Sequence, residues 1–206
     1  TLAFGMRAIL FVMVPASFGF MVLAKPIVSG LFMGGRFDSY SVEATAGALF
    51  FYSIGLFAYG STKILQNAFF ALKDTLTPTI VSAVVLLMNI CLNAILMFPM
   101  KLSGLALATS ISGIIGFFIL FYFIDKRVKG IEIKSLVLFC SKVVLASCGM
   151  AAVCWWVVRI NPLLNTHIAS RIFNLALPVI CGIVSYIGFA LLLGIDQARN
   201  LLRLNK

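Results

Sequence analysis

The chain has 206 residues, 62% of them hydrophobic and 11% charged, with a formal net charge of +10 and a mean hydropathy of +1.12. A soluble domain is nearer ~45–50% apolar, and a chain of this size could not bury helices that are greasy on every face. An ordinary globular fold is therefore excluded, and an all-α polytopic membrane protein is expected.

Spanning a hydrocarbon core of ~30 Å takes ~20 helical residues at ~1.5 Å each. Six stretches approach or exceed that length without Lys, Arg, Asp or Glu: Ala8–Ala24, Ala44–Thr62, Thr75–Met100, Leu102–Ile124, Val143–Val158 and Ile172–Ile195. The shorter ones extend past single flanking charges: Arg7 and Lys25 on the first, Lys63 on the second, Lys142 on the fifth. Six transmembrane helices are predicted. The chain opens on Thr1 inside an apolar segment, lacks the features of a cleavable signal, and reads as a piece of a longer protein. Pro15 and Pro26 bend or break the first segment. Gly34–Ser39 reads as a turn, with Ser41 placed to start the second helix. Lys73–Pro78 is a further break, where Asp74 or Thr75 can cap and Pro78 fits the first turn. Gly130 stops the fourth helix in an amphipathic linker. The tail alternates basic residues with Leu201, Leu202 and Leu204, a pattern suited to the inner membrane surface.

Short loops permit a positive-inside count. Six crossings put Arg7, Lys73, Lys126, Arg127, Lys129, Lys134, Arg199, Arg203 and Lys206 on one side, against Arg36, Lys101, Arg159 and Arg171 on the other. Nine against four predicts that both chain ends are cytoplasmic. Because the basic residues sit at helix ends, anionic lipid headgroups rather than nucleic acid are the expected counter-charge. The five cysteines lie in apolar runs without a C-x-x-C pair, and His167 is the single histidine, so neither a metal centre nor an enzyme is expected.

Polar side chains at membrane depth need a partner or a cavity. Asn89 and Asn93 share one helix face at i,i+4. They suit interhelical hydrogen bonds or, as a pair of carbonyl oxygens, a hard cation such as Na⁺. Gly104, Ala108, Ser112 and Gly116 recur every four residues ahead of the bulky run Phe117–Phe123, which predicts that this half of the segment is tightly packed or lines a cavity. Thr109, if it faces Asn89 and Asn93, completes an oxygen-lined pocket. Lys63 either snorkels to the headgroups or meets an anionic substrate in a central cavity.

Phe50–Gly60, Lys63-Ile64-Leu65, Ala68–Thr75 and Thr77-Pro78 are followed by Asn89, Asn93 and Gly104–Ser110, and preceded by Leu31-Phe32-x-x-Gly35-Arg36-Phe37-Asp38. In order and spacing this resembles the C-terminal part of the MurJ (MviN) lipid II flippases, within the multidrug and oligosaccharidyl-lipid exporter superfamily. The resemblance is dense from about Pro15 to Asp125 and thins to hydropathy beyond Lys134. It implies a fourteen-helix fold of two six-helix lobes and an extra pair. Residues 1–127 would complete the second lobe, 128–134 form a cytoplasmic linker, 135–195 form the extra pair, and 196–206 form a cytoplasmic tail. In the family that pair lines a groove suited to a polyprenyl tail. The resemblance also implies a transporter, not an enzyme, in the bacterial cytoplasmic (inner) membrane. It would move the undecaprenyl-linked peptidoglycan precursor, lipid II, from the inner to the outer leaflet by alternating access. Its implied partners are lipid II, membrane lipids and upstream helices of its own chain. The family's headgroup-binding arginines fall on helices ahead of this segment, leaving Lys63 as the cavity candidate. The family's sodium ligands fall on Asn89, Asn93, Thr109 and a backbone carbonyl near Leu105, but the acidic residue expected at position 93 is neutral. Sodium is thus the candidate coupling ion, with membrane potential as the alternative. Another exporter of the superfamily and a non-transport membrane scaffold are the rival readings.

Overall fold

The structure is a computed structural model that describes residues 2–32, 34–35, 37–128, 133–160, 168–195 and 197, without the side chains of 133 and 168–174. Arg36, most of the predicted linker, His167 and nearly all of the predicted tail lie outside the described residues. Among the described residues five helices follow in order: α1 (Leu2–Phe32), α2 (Ser39–Ala71), α3 (Leu76–Val128), α4 (Ile133–Ile160) and α5 (Ile168–Leu192). All five contain a stretch long and apolar enough to cross a membrane.

α3 joins the third and fourth of the six expected segments across a break in helical geometry. α3 has 53 residues and would span ~80 Å if straight, well beyond a hydrocarbon core. It is not straight. Lys101, two residues after Pro99, sits at φ 50° and ψ −126°, outside the helical region. Nδ2 of Asn89, before this break, donates to Oγ of Ser112, after it, at 3.0 Å. A continuous helix would hold those residues ~35 Å apart, so α3 doubles back into two antiparallel arms. Gly104 makes the reversal possible, since a Cβ there would lie 2.1 Å from the carbonyl oxygen of Leu96. The reversal falls where the charge pattern and Pro99 mark a boundary.

The other connections are capped. Oδ1 of Asp38 accepts from the Ser41 N–H at 2.9 Å, so Asp38 caps a helix that starts at Ser39, and Ser41 is the recipient and not the start. α2 ends with Lys73 at φ 59°, its N–H donating to the Phe70 carbonyl while that of Asp74 donates to Phe69. This is the Schellman pattern with a lysine in the left-handed position. Of the two candidate caps for α3, Asp74 takes the role: its oxygens accept from the Thr77 N–H at 3.0 Å and the Thr77 hydroxyl at 2.6 Å. These bonds, Thr77's hydroxyl first, hold the Asp74 carboxyl below its ordinary range, with Arg127 adding a smaller pull.

α1 is the hub. It packs on α2, α4 and α5, while α2 also carries α3 and α4 pairs with α5. One apolar cluster runs through all five helices, from Leu10 and Val14 through Leu65 and Phe69, Leu120 and Ile124, to Val143 and Ala190. One end of the bundle gathers Arg7, which donates to Ser135 at 2.8 Å, and the Asp74–Arg127 pair. The other gathers Lys25 with Glu43 at 3.1 Å and Lys101 with the Tyr40 hydroxyl at 3.3 Å.

Candidate functional site

Three helix faces meet beside the second half of α2. Tyr59, Thr62, Lys63 and Gln66 recur at helical spacing on α2; Ser82 and Asn89 do so on the first arm of α3, and Thr109, Ser112 and Gly116 on the second. They enclose a cavity of about 380 Å³. The small residues of the second arm make the approach possible, since Gly113 lies against the Tyr59 ring and Gly116 against Val85.

The polar groups form one network. Asn93 Nδ2 donates to Asn89 Oδ1 at 3.0 Å, and Asn89 Nδ2 donates to Ser112 Oγ at 3.0 Å and Thr109 Oγ1 at 3.4 Å. The Thr109 hydroxyl donates to the Leu105 carbonyl at 2.8 Å, and the Tyr59 hydroxyl donates to the Thr109 carbonyl at 2.9 Å. Asn89, Asn93, Leu105 and Thr109 are thus brought together across the two arms. Lys63 lines the same cavity from α2, its side chain exposed and paired with no carboxylate among the described residues.

One atom stands out: Oδ1 of Asn93 is buried and accepts no hydrogen bond. An unpartnered buried acceptor costs ~1–3 kcal/mol, so such an oxygen, on a residue bonded to Asn89, fits a cation ligand. All four oxygens are neutral, which suits a singly charged ion held weakly and not a divalent one. Ser112 lines the cavity, one of the two places that its small-residue stripe allows, while Tyr59 and Gln66 join the site from α2. The 59–62–63–66 spacing on α2 was the available signal.

Two apolar grooves flank α1. One, of about 380 Å³, is lined by Phe11, Pro15, Gly19, Cys154, Gly182 and Tyr186 among others. The second, of about 460 Å³, lies between Phe18 of α1, Phe57 of α2, Phe117 and Phe121 of α3 and Cys140 of α4. No charged side chain lines either.

Known proteins resemble this chain in sequence and fold. A family model described as lipid II flippase MurJ matches residues 1–176, reaching well past Lys134, where the quoted motifs leave only hydropathy. A probable lipid II flippase MurJ of Vibrio cholerae is 32% identical over 196 residues, covering 95% of this chain and 37% of that protein. Its counterpart in Thermotoga maritima is 35% identical over 194 residues, 94% of this chain and 38% of that protein. A solved structure of a lipid II flippase MurJ in an inward closed conformation superposes with a TM-score of 0.78 at 29% identity, over 95% of this chain and 39% of that one. The chain therefore spans under two-fifths of the length of the relatives it matches. With matches of this length in sequence and fold, the chain belongs to the MurJ family of lipid II flippases.

Proposed function

We propose that this chain is part of a transporter, not an enzyme, that carries lipid II from the inner to the outer leaflet of the bacterial cytoplasmic membrane by alternating access. The observation that carries this is the fold match over 95% of the chain to a protein titled lipid II flippase. In this reading the two arms of α3 are separate crossings, giving six in all, with the Arg7, Asp74 and Arg127 end and both chain termini in the cytoplasm. α1, α2 and α3, residues 1–127, complete the second lobe of a fourteen-helix frame. A linker (128–134), the extra pair α4 and α5 (135–195) and a cytoplasmic tail (196–206) follow.

The two kinds of surface suit the two ends of such a substrate. An apolar groove accepts an isoprenoid chain at no polar cost, whereas a pyrophosphate needs a water-filled, cationic path. Lys63 contributes positive potential to that path from the rim of the polar cavity. Asn89, Asn93, Thr109 and the Leu105 carbonyl form the candidate seat for Na⁺. When bound, the ion supplies positive charge between the arms of α3 and an acceptor-side partner for Asn93 Oδ1. The remaining partners are membrane lipids and further helices of the same polypeptide.

The test uses cells whose only lipid II flippase is the protein that carries this chain, under a depletable promoter. An externally added enzyme cleaves lipid II on the outer leaflet, and the cleaved product is followed during depletion. Falling cleavage with lipid II accumulating inside is the expected result. Unchanged cleavage would replace lipid II with another polyprenyl-glycan or drug as the cargo.

A further inference from the structure

Pro15 lies inside α1, and proline has no backbone N–H. In a regular helix the amide of residue 15 donates to the carbonyl of residue 11, so the Phe11 carbonyl has lost its own-helix partner. A different helix fills the vacancy. The Tyr186 hydroxyl on α5 donates to the Phe11 carbonyl at 2.7 Å across 175 residues of sequence. The Tyr186 ring rests on the Phe11 ring with centroids 5.2 Å apart, and the residue is 7% exposed.

The surroundings leave that carbonyl no substitute. Phe11, Pro15 and Tyr186 line the same apolar groove, in which Tyr186 carries the one O–H or N–H side-chain donor. The other weak donor there, the Cys154 thiol, is turned to the Pro178 carbonyl at 3.5 Å. A carbonyl left bare in such a place costs far more than one facing water, so the phenol and the proline turn are energetically linked.

We propose that Tyr186 is a positioning residue that stands in for the missing amide and thereby sets the conformation of α1 at Pro15 from α5. α5 packs on α1 and α4, so α1 is its route to α2 and α3. On one side of Pro15, α1 carries Arg7, tied to Ser135 of α4. On the other it carries Lys25, paired with Glu43 of α2. The Tyr186 bond therefore sits at the joint between α4–α5 and α2–α3. Its bearing on transport rests on the flippase reading above; its hold on α1 does not.

The experiment uses the complete protein in sealed lipid vesicles, with non-cysteine spin labels replacing Phe4 and Leu31, both exposed and on opposite sides of Pro15. A straight helix would separate these positions by about 40 Å. Three variants are compared with the parent: Tyr186→Phe, which keeps the ring and loses the hydroxyl; Pro15→Ala, which restores the amide; and the two combined. Tyr186→Phe should broaden the Phe4–Leu31 distance distribution and slow translocation about fivefold, the size of one ordinary hydrogen bond. In the Pro15→Ala background, adding Tyr186→Phe should change neither readout, because the helix then satisfies Phe11 itself. An unaltered distribution in Tyr186→Phe, or an effect of equal size with and without Pro15, would overturn the proposal while leaving parental translocation intact. Distances that respond as stated in a parent that moves no lipid II would instead overturn the flippase reading and leave the hinge standing.

Discussion

The α2–α3 side of the molecule and the α1–α4–α5 side are assembled by different means. Between α2 and α3, Ser110 Oγ donates to the Phe51 carbonyl at 2.6 Å and the Tyr59 hydroxyl to Thr109. Ser110 and Ser112 are buried there, and Gly55 brings the backbones close at Ser110. The other side has direct polar links too, Arg7 to Ser135, Cys154 to Pro178 and Tyr186 to Phe11, but its close glycines, Gly149 and Gly182, face the Phe189 ring and the Cys154 sulfur and not a backbone. Apolar contact alone does not distinguish a helix from lipid inside a bilayer. Close backbone approach does, and Gly55 against the Ser110 backbone gives it to the α2–α3 side. The α1–α4–α5 side meets through side chains that lipid tails could replace, and there the apolar groove of Phe11 and Tyr186 lies open.

The sharpest way to break this comparison is one substitution placed on each side. A Cβ at Gly55 would lie 2.8 Å from the Ser110 Cα, a backbone atom with nowhere to go. A Cβ at Gly19 would meet only the Met150 Cε, at 3.8 Å. Gly55→Ala should therefore destabilise by ~1–3 kcal/mol through forced separation of α2 and α3. Gly19→Ala should be neutral or gain up to ~1 kcal/mol from helix propensity. Thermal unfolding of both variants in one detergent decides it, and equal losses would mean that the two sides are packed alike.

Substitutions in the polar network should have a smaller effect and sharpen the site. Asn89→Leu removes three hydrogen bonds and strands the Asn93 amide, a cost of ~1–2 kcal/mol at membrane depth. Asn93→Leu loses one bond but also removes an oxygen that had no partner, so stability should barely move. Translocation should nonetheless fall in Asn93→Leu and persist in Cys91→Leu, whose thiol faces outward on the same arm. If Asn93→Leu transports as well as Cys91→Leu does, the network is packing glue and holds no ion.

Much of this site could be read from spacing within single helices. The i,i+4 relation put Asn89 and Asn93 on one face, and the four-residue repeat of small residues placed the close-packed half of α3 correctly. Gly104, Ala108, Ser112 and Gly116 are all buried. What escaped depends on partners distant in sequence. Nothing local to Tyr186 says that its hydroxyl answers a proline 171 positions earlier. Nor does Gln66 announce the cavity it lines, because an amide near a helix end is ordinarily solvated. The reversal at Lys101 was legible, since a charge and a proline part the third segment from the fourth there. Ser41 was mistaken for a start because both serine and aspartate cap well, and only the geometry shows which oxygen reaches the amide.

The smallest expected effect separates a cap from an ion pair at the Asp74 end. Arg127 contacts Asp74, yet the bonds from Thr77 come ahead of it among the causes that lower the Asp74 carboxyl. Asp74→Ala should therefore lower the melting temperature more than Arg127→Gln, and added salt should shrink only the Arg127 part, since screening acts on exposed charges and not on a local hydroxyl or amide donor. The pH dependence has a definite sign. A carboxyl whose value falls on folding lends its full stability above the ordinary 3.8 and loses it as pH drops through the lower folded value. The difference between parent and Asp74→Ala should accordingly be flat at neutral pH and close only in acid. A difference that closed between neutral pH and 3.8 would mean that Asp74 is protonated more readily in the folded protein, against the bonds that Thr77 makes to it.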